Sequence, residues 1–326
     1  MAYKNSMSSV LTASGALKMD MHVPHALLQV EQPLAPYSLA NPTVYRFTEQ
    51  LYAKYEPATR AVWVRWTPAP RPSFNPALLD ALSQCASFLR TTAGALPAEG
   101  RAAPMEYTVL ASNVPGVFNL GGDLELFMRL IEGKDRAALI HYGTACVHVV
   151  YQNYVAHDLP VTTISLVQGD CLGGGFEAAL SSDLVVAERH ARFGFPEILF
   201  NLFPGMGAYS FLDRRVGRKV TEELLSTGKT YTADDMLKLG VIDYVADTGG
   251  GDAAVAALMQ RRSRSRNGMV GISTVRRRVN PVTFQELLDV VDLWADCALR
   301  LSGRDLKLMQ RLVSRQNDIT STSRIH

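Results

Sequence analysis

The chain reads as an α/β protein, and three observations carry that reading. Short segments at Tyr107 to Ala111, Val161 to Val167 and Leu184 to Ala187 are apolar almost throughout, with Val241 to Ala246 following later. Strands of that kind are buried on both faces, as in a sheet covered by helices. The middle of the chain repeats one unit, a short apolar strand, then a glycine-containing turn, then a helix. Finally, 326 residues at 47% hydrophobic and 20% charged content suffice for a sizeable core and exclude a fibrous or wholly disordered chain.

In chain order, residues 1–42 mix Ser, Ala, Met and Pro without periodicity and read as a loose extension. From Thr43 to Tyr55, Val44, Phe47, Leu51 and Tyr55 lie at helical spacings, and Arg60 to Trp66 then alternates as a strand should. The proline-rich stretch from Pro68 to Pro76 predicts a loop. A helix from Ala77 to about Leu89 follows, with Leu78, Leu79, Leu82, Cys85 and Leu89 on one face, and then a loop containing Gly, Ala and Pro. Leu124 to about Tyr154 predicts a long helical stretch interrupted near Gly133 and at Gly143. Past Gly249-Gly250-Gly251 the composition changes: Ala253 to Gln285 holds seven arginines and no acid, and Phe284 to Val313 has helical periodicity. The expected organisation is an extension (1–42), a catalytic core (43–250) and a helical region (251–326).

The net charge of +2 gives no overall footprint for nucleic acid or an anionic membrane. Four dispersed cysteines make no C-x-x-C pair, and neither a membrane-spanning run nor an apolar signal core is visible, so a cytoplasmic protein is expected. His141 and His148 could share a helix face but lack a third ligand, and no metal is expected. Two motifs imitate phosphate loops. Ser226-Thr227-Gly228-Lys229-Thr230 ends like a Walker loop without its first glycine. Gly173-Gly174-Gly175-Phe176-Glu177-Ala178 satisfies G-x-G-x-x-A, but Glu197 does not end the next strand as a dinucleotide fold requires.

Those glycines suit different chemistry. A helix starting within Gly173 to Gly175 presents unpaired amides and the positive end of its dipole to a developing oxyanion. Glu177 sits just inside that helix, and Glu197 returns after a Pro196 turn. Two carboxylates beside an oxyanion hole suit proton transfer next to a carbonyl. The plainer alternative, a glutamate favoured by the helix dipole and a solvated one, is equally compatible with spacing alone. Phe118-Asn119-Leu120-Gly121-Gly122-Asp123-Leu124 also lies between a strand and a helix, where a second amide donor could stand, and this tips the balance toward the chemical reading.

With VFNLGGDL, VQGDCLGGGFEAALSSDLVVAE, ARFGFPEILFNLFPGMGA and STGKTYTADDMLKLGVIDYVA, the chain resembles the crotonase, or enoyl-CoA hydratase, superfamily over about residues 105 to 247. The resemblance implies a spiral of ββα units and oligomers, trimers or hexamers. It assigns the oxyanion-hole amides to Leu120 and Gly174, and catalysis to Glu177 and Glu197, with Glu197 as the base and Glu177 as the acid unless the roles exchange. Gly121 and Gly173 fall among the expected substrate-binding residues. FNLGGDLELF, PEILFNLFPGMGAYSFL and ELLDVVDLWADCALRL look more narrowly like the diffusible signal factor (DSF) synthases of Gram-negative bacteria, as far as about Gln316. That likeness implies dehydration of a 3-hydroxyacyl thioester of acyl carrier protein, then hydrolysis to a free cis-2-unsaturated acid. It also implies an acyl pocket lined by Leu172, Met206, Trp294 and Leu312, which periodicity alone would call ordinary core. No cofactor is expected beyond the phosphopantetheine arm that the substrate carries. The alternatives are a conventional acyl-CoA hydratase or isomerase, or a non-catalytic scaffold partnering a sensor protein. The stretch Arg261 to Arg278 is notably basic; Arg261 to Arg266 within it reads as a solvated loop, or else the arginines form a docking patch for an acidic carrier near the tunnel mouth.

Overall fold

The computed structural model describes residues 43–322, so the expected N-terminal extension lies outside the described residues. The first departure from expectation comes at once. Thr43 to Tyr55 is not a helix but a hairpin of β1 (Thr43–Thr48) and β2 (Leu51–Glu56). In β2, Leu51, Ala53 and Tyr55 are buried while Tyr52, Lys54 and Glu56 are partly exposed. That alternation of two, in a segment rich in Thr, Val, Tyr and Phe, outweighs the helical spacing of four apolar residues. Strand β3 (Ala61–Trp66) pairs antiparallel with β2. Helix α1 (Pro76–Thr91) buries the predicted face, and the Asn75 side chain caps it by accepting from Leu78 N at 2.9 Å, with Pro76 at its first position. The expected loop beyond it is a second hairpin, β4 (Ala95–Ala98) and β5 (Arg101–Pro104), turned by Glu99 and Gly100, both with positive φ.

The core is a spiral in which each turn supplies one strand to each of two sheets and then a helical segment. The first turn is β6 (Tyr107–Ser112), β7 (Gly116–Asn119), α2 (Leu124–Glu132) and α3 (Arg136–Tyr154). The second is β8 (Thr162–Val167), β9 (Gly169–Leu172) and α4 (Gly174–Leu180). The third is β10 (Leu184–Glu188), β11 (Arg192–Gly194) and, past a 3-10 turn at Pro196–Phe200, α5 (Ala208–Val216) and α6 (Arg218–Thr227). Strand β12 (Thr230–Thr232), α7 (Ala233–Lys238) and β13 (Tyr244–Ala246) follow. One sheet has the order β1-β2-β3-β6-β8-β10-β13, parallel from β3 onward; the other runs β12-β11-β9-β7. Gly133 ends α2 as expected, but Gly143 does not break α3. It lies where a Cβ would come within 2.6 Å of Val291, so its smallness serves close helix packing.

Helices α8 (Gly251–Ser263), α9 (Arg266–Val279), α10 (Phe284–Ala298) and α11 (Gly303–Thr322) complete the described chain. Arg261 to Arg266, expected as a solvated loop, is mostly exposed but runs from the end of α8 through a turn at Arg264 and Ser265 into α9, and further along several arginines are anchored. Arg276 and Arg277 both pair with Asp183, at 2.5 and 2.8 Å, and the Asp183 side chain is only 3% exposed and also accepts from Thr163 N. Arg266 donates to Pro160 O at 2.8 Å. Arg136 at the start of α3 meets Asp292 and Asp296 of α10, both at 2.7 Å. Among the described residues no helix is long and apolar enough to cross a membrane.

Candidate active site

A cavity of about 250 Å³ opens where the loops after β7, β9 and β11 approach α10 and α11. All four residues expected of an acyl pocket, Leu172, Met206, Trp294 and Leu312, lie on its wall, as do Leu120, Gly174, Glu177 and Glu197. Gly121 and Gly173 stand directly behind the wall. Gly121 has φ +95°, and a Cβ there would lie 2.9 Å from Gly174 N; Gly173 has φ +49°, and a Cβ there would collide with Glu197 Oε1. Both positions therefore require glycine for backbone shape and for closeness to the reacting groups. Trp294 packs edge-on to Phe127 at 5.0 Å, and Phe127 packs edge-on to Tyr142 at 4.9 Å, forming an aromatic side to the chamber.

The two glutamates differ in environment. Glu177, in the first turn of α4, is 1% exposed, and its Oε1 accepts from the Met206 and Ala208 amides at 2.8 and 2.9 Å. Burial raises its pKa to about 7, and the two amides oppose the rise. Glu197, on the 3-10 turn opened by Pro196, has an inaccessible Oε2 without a hydrogen-bond partner among the described residues. Burial and then the Glu177 charge raise its pKa to about 8. Both carboxyls are held above the ordinary glutamate range, by burial and, for Glu197, also by the Glu177 charge, so the two titrate as a coupled pair.

The oxyanion hole needs a correction. The Leu120 amide is not available as a donor, because it already donates to Pro72 O at 2.8 Å. The Gly121 amide likewise donates to Asn119 Oδ1 at 2.8 Å. The next amide, Gly122, has no acceptor among the described residues, and Gly122 is on the cavity wall. Gly122 N lies 3.5 Å from the place a Cβ would occupy on Gly174, whose own amide opens α4 and is likewise unpartnered among the described residues. Gly122 and Gly174 are thus the two amides that can converge on one oxygen. Counting position in the motif does not reveal which amide of a turn is free; that depends on what else crosses the turn.

What crosses it is the segment Arg71 to Phe74, passed over in the sequence as a proline-rich loop. Phe74 N donates to Gly121 O at 2.8 Å, alongside the Leu120 to Pro72 bond. The Tyr142 hydroxyl donates to Phe74 O and accepts from Asp123 N at 3.2 Å, and the Arg71 guanidinium holds Asp123 and Glu125 at 2.9 and 2.6 Å. Tyr142 and Arg71 therefore fix the turn that carries the Gly122 amide. Arg71 lies in a segment without periodicity, and Tyr142 reads as one more helical aromatic, so neither gave a signal.

Comparison with known proteins agrees with this geometry. The family model for enoyl-CoA hydratase/isomerase matches residues 98–261, half of the chain. An enoyl-CoA hydratase from Bacillus halodurans superposes with a TM-score of 0.68 at 18% identity, over 81% of this chain and 100% of that one. DspI from Pseudomonas aeruginosa superposes with a TM-score of 0.60 at 21% identity, over 73% and 91%. Human mitochondrial delta3-delta2-enoyl-CoA isomerase gives 0.65 at 17% identity, over 83% and 99%.

Proposed function

The chain belongs to the enoyl-CoA hydratase/isomerase family, and from that premise we propose that it dehydrates a 3-hydroxyacyl thioester and then hydrolyses the product, releasing a free cis-2-unsaturated acid. One observation carries the chemistry: the buried Glu177 carboxyl and the half-buried Glu197 carboxyl line one cavity beside two amides that have no partner among the described residues. The narrower activity draws on the likeness of FNLGGDLELF and the α10 sequence to DSF synthases, with DspI among the structural relatives.

The thioester oxygen accepts from the Gly122 and Gly174 amides, each such donor contributing about 3 kcal/mol as charge develops on that oxygen. Ionised Glu177 takes the C2 proton, and protonated Glu197 gives its proton to the 3-hydroxyl, which leaves as water. Each glutamate then holds the other's former state, and one proton moving between them restores the pair. For hydrolysis a carboxylate removes a proton from water as the water oxygen bonds to the thioester carbon. The tetrahedral oxyanion occupies the same hole, the C–S bond breaks, and the proton passes to the departing thiolate. The substrate brings its own phosphopantetheine arm, on acyl carrier protein or CoA, and the working form is an oligomer, trimeric or hexameric.

A conventional hydratase would use the same two carboxyls, and the fold relatives include one. The test is incubation with a 3-hydroxyacyl carrier protein and mass spectrometry of the lipids. Free cis-2-enoic acid, abolished in Glu177→Ala and Glu197→Ala, is the expected result. A trans-2-enoyl thioester alone would assign the conventional activity instead.

A further inference from the structure

Behind the main cavity lies a second compartment of about 30 Å³, bounded by α1, α3, β3, β6 and the end of α4. Phe74, Val149, Val150 and Ala178 line both spaces, so the partition between them is one side chain thick. The walls beyond it are apolar, with Leu82, Ala86 and Leu110 among them. The floor is not. Asn153 donates to Ser181 Oγ and Ser182 Oγ at 2.8 and 2.9 Å, leaving its Oδ1 without a partner, and His157 Nδ1 is also unpartnered; the two residues are 3% and 6% exposed.

Orphaned polar atoms in an otherwise apolar recess need water or a polar ligand atom, and a water requires at least ~10–15 Å³, so the recess holds one or two. His157 sits in a run, Ala156 to Asp158, in which all three residues have left-handed φ. Non-glycine backbone in that region is strained and persists where the surroundings impose it.

We propose that this recess is the far end of the acyl site and sets chain length. The terminal carbons of the acyl chain pass the Val149 and Val150 partition into the apolar part. The Asn153 and His157 floor, which a methyl group cannot satisfy, stops them. The inference rests on reading the main cavity as an acyl site, but it concerns binding and is tested without turnover.

The experiment is calorimetric titration of the intact protein with saturated fatty acids. For chains of about 8 to 16 carbons, affinity should rise about fourfold per added methylene up to a limiting length and then level off or fall. In Ala86→Leu, which fills the recess, the limit should move down by about two carbons; in Leu110→Ala, which enlarges it, the limit should move up by a similar amount. Opposite shifts in two folded variants support the proposal, whereas the same limit in both and in the parent overturns it. Should one variant fail to fold, the shift in the other decides. A clear limit in a protein that releases no free acid would leave the recess assigned and remove the proposed reaction, so the two failures are distinguishable.

Discussion

At the scale of single residues, the proposed reaction depends on one proton shared by Glu177 and Glu197. Both pKa values are raised, to about 7 for Glu177 and about 8 for Glu197, so on this account acid removes the base by protonating both and alkali removes the acid by ionising both. The dehydration rate should therefore be a narrow bell centred between those values, falling about tenfold per pH unit well outside each limb. A plateau extending down to pH 5 in a pH–rate measurement would contradict the shared proton. The site was partly legible at this scale. Glu177, Glu197 and Gly174 could be picked out because a glycine run opening a helix has a fixed electrostatic meaning. Leu120 was misassigned because an amide is occupied or free according to a partner, Pro72, far away in the sequence.

At the scale of elements, the Arg71 to Phe74 segment and Tyr142 hold the Gly122 turn. Tyr142→Phe removes a hydroxyl that bridges Phe74 O and Asp123 N while keeping the ring against Phe127. It should lower kcat by about tenfold or more with little change in KM, because the interaction it supports strengthens in the transition state. Steady-state kinetics decide this, and a rise in KM at constant kcat would show that Tyr142 serves only binding. Asp183 joins α9 to the start of β10. Asp183→Ala would strand Arg277, whose side chain is 15% exposed, and Thr163 N, and should cost about 3 kcal/mol in chemical denaturation; a loss under 1 kcal/mol would mean water replaces the pairing. The sequence marked the apolar strands of the long sheet well, because their burial is written in unbroken apolar runs. It missed β7 and β9 as strands, since four residues are too few for a period to register, while the short strand before Pro196, β11, was legible from the turn that follows it. The β1–β2 hairpin was missed because four apolar residues fitted two periodicities at once.

At the scale of the whole molecule, the spiral brings three loops from successive turns to one place, and α10 and α11 cover it with Trp294 and Leu312. Those two residues look like ordinary core in the sequence, and only the resemblance pointed to a cavity there, since helical periodicity does not tell a packed face from a chamber wall. The seven-arginine stretch looked like an independent surface feature, but it forms helices in which Arg266, Arg276 and Arg277 meet Glu106, Pro160 O and Asp183, and none of the seven lines the cavity. In the proposed reaction one oxyanion hole serves two steps in sequence, because the enoyl thioester stays beside the same carboxyls and amides. The most direct measurement is turnover of a 3-hydroxyacyl carrier protein in water enriched in oxygen-18, followed by mass spectrometry of the released acid. The account predicts a free cis-2-enoic acid carrying one heavy oxygen in its carboxyl group, absent from Glu177→Gln. An enoyl product that stays on its thioester, with no labelled acid, would contradict it.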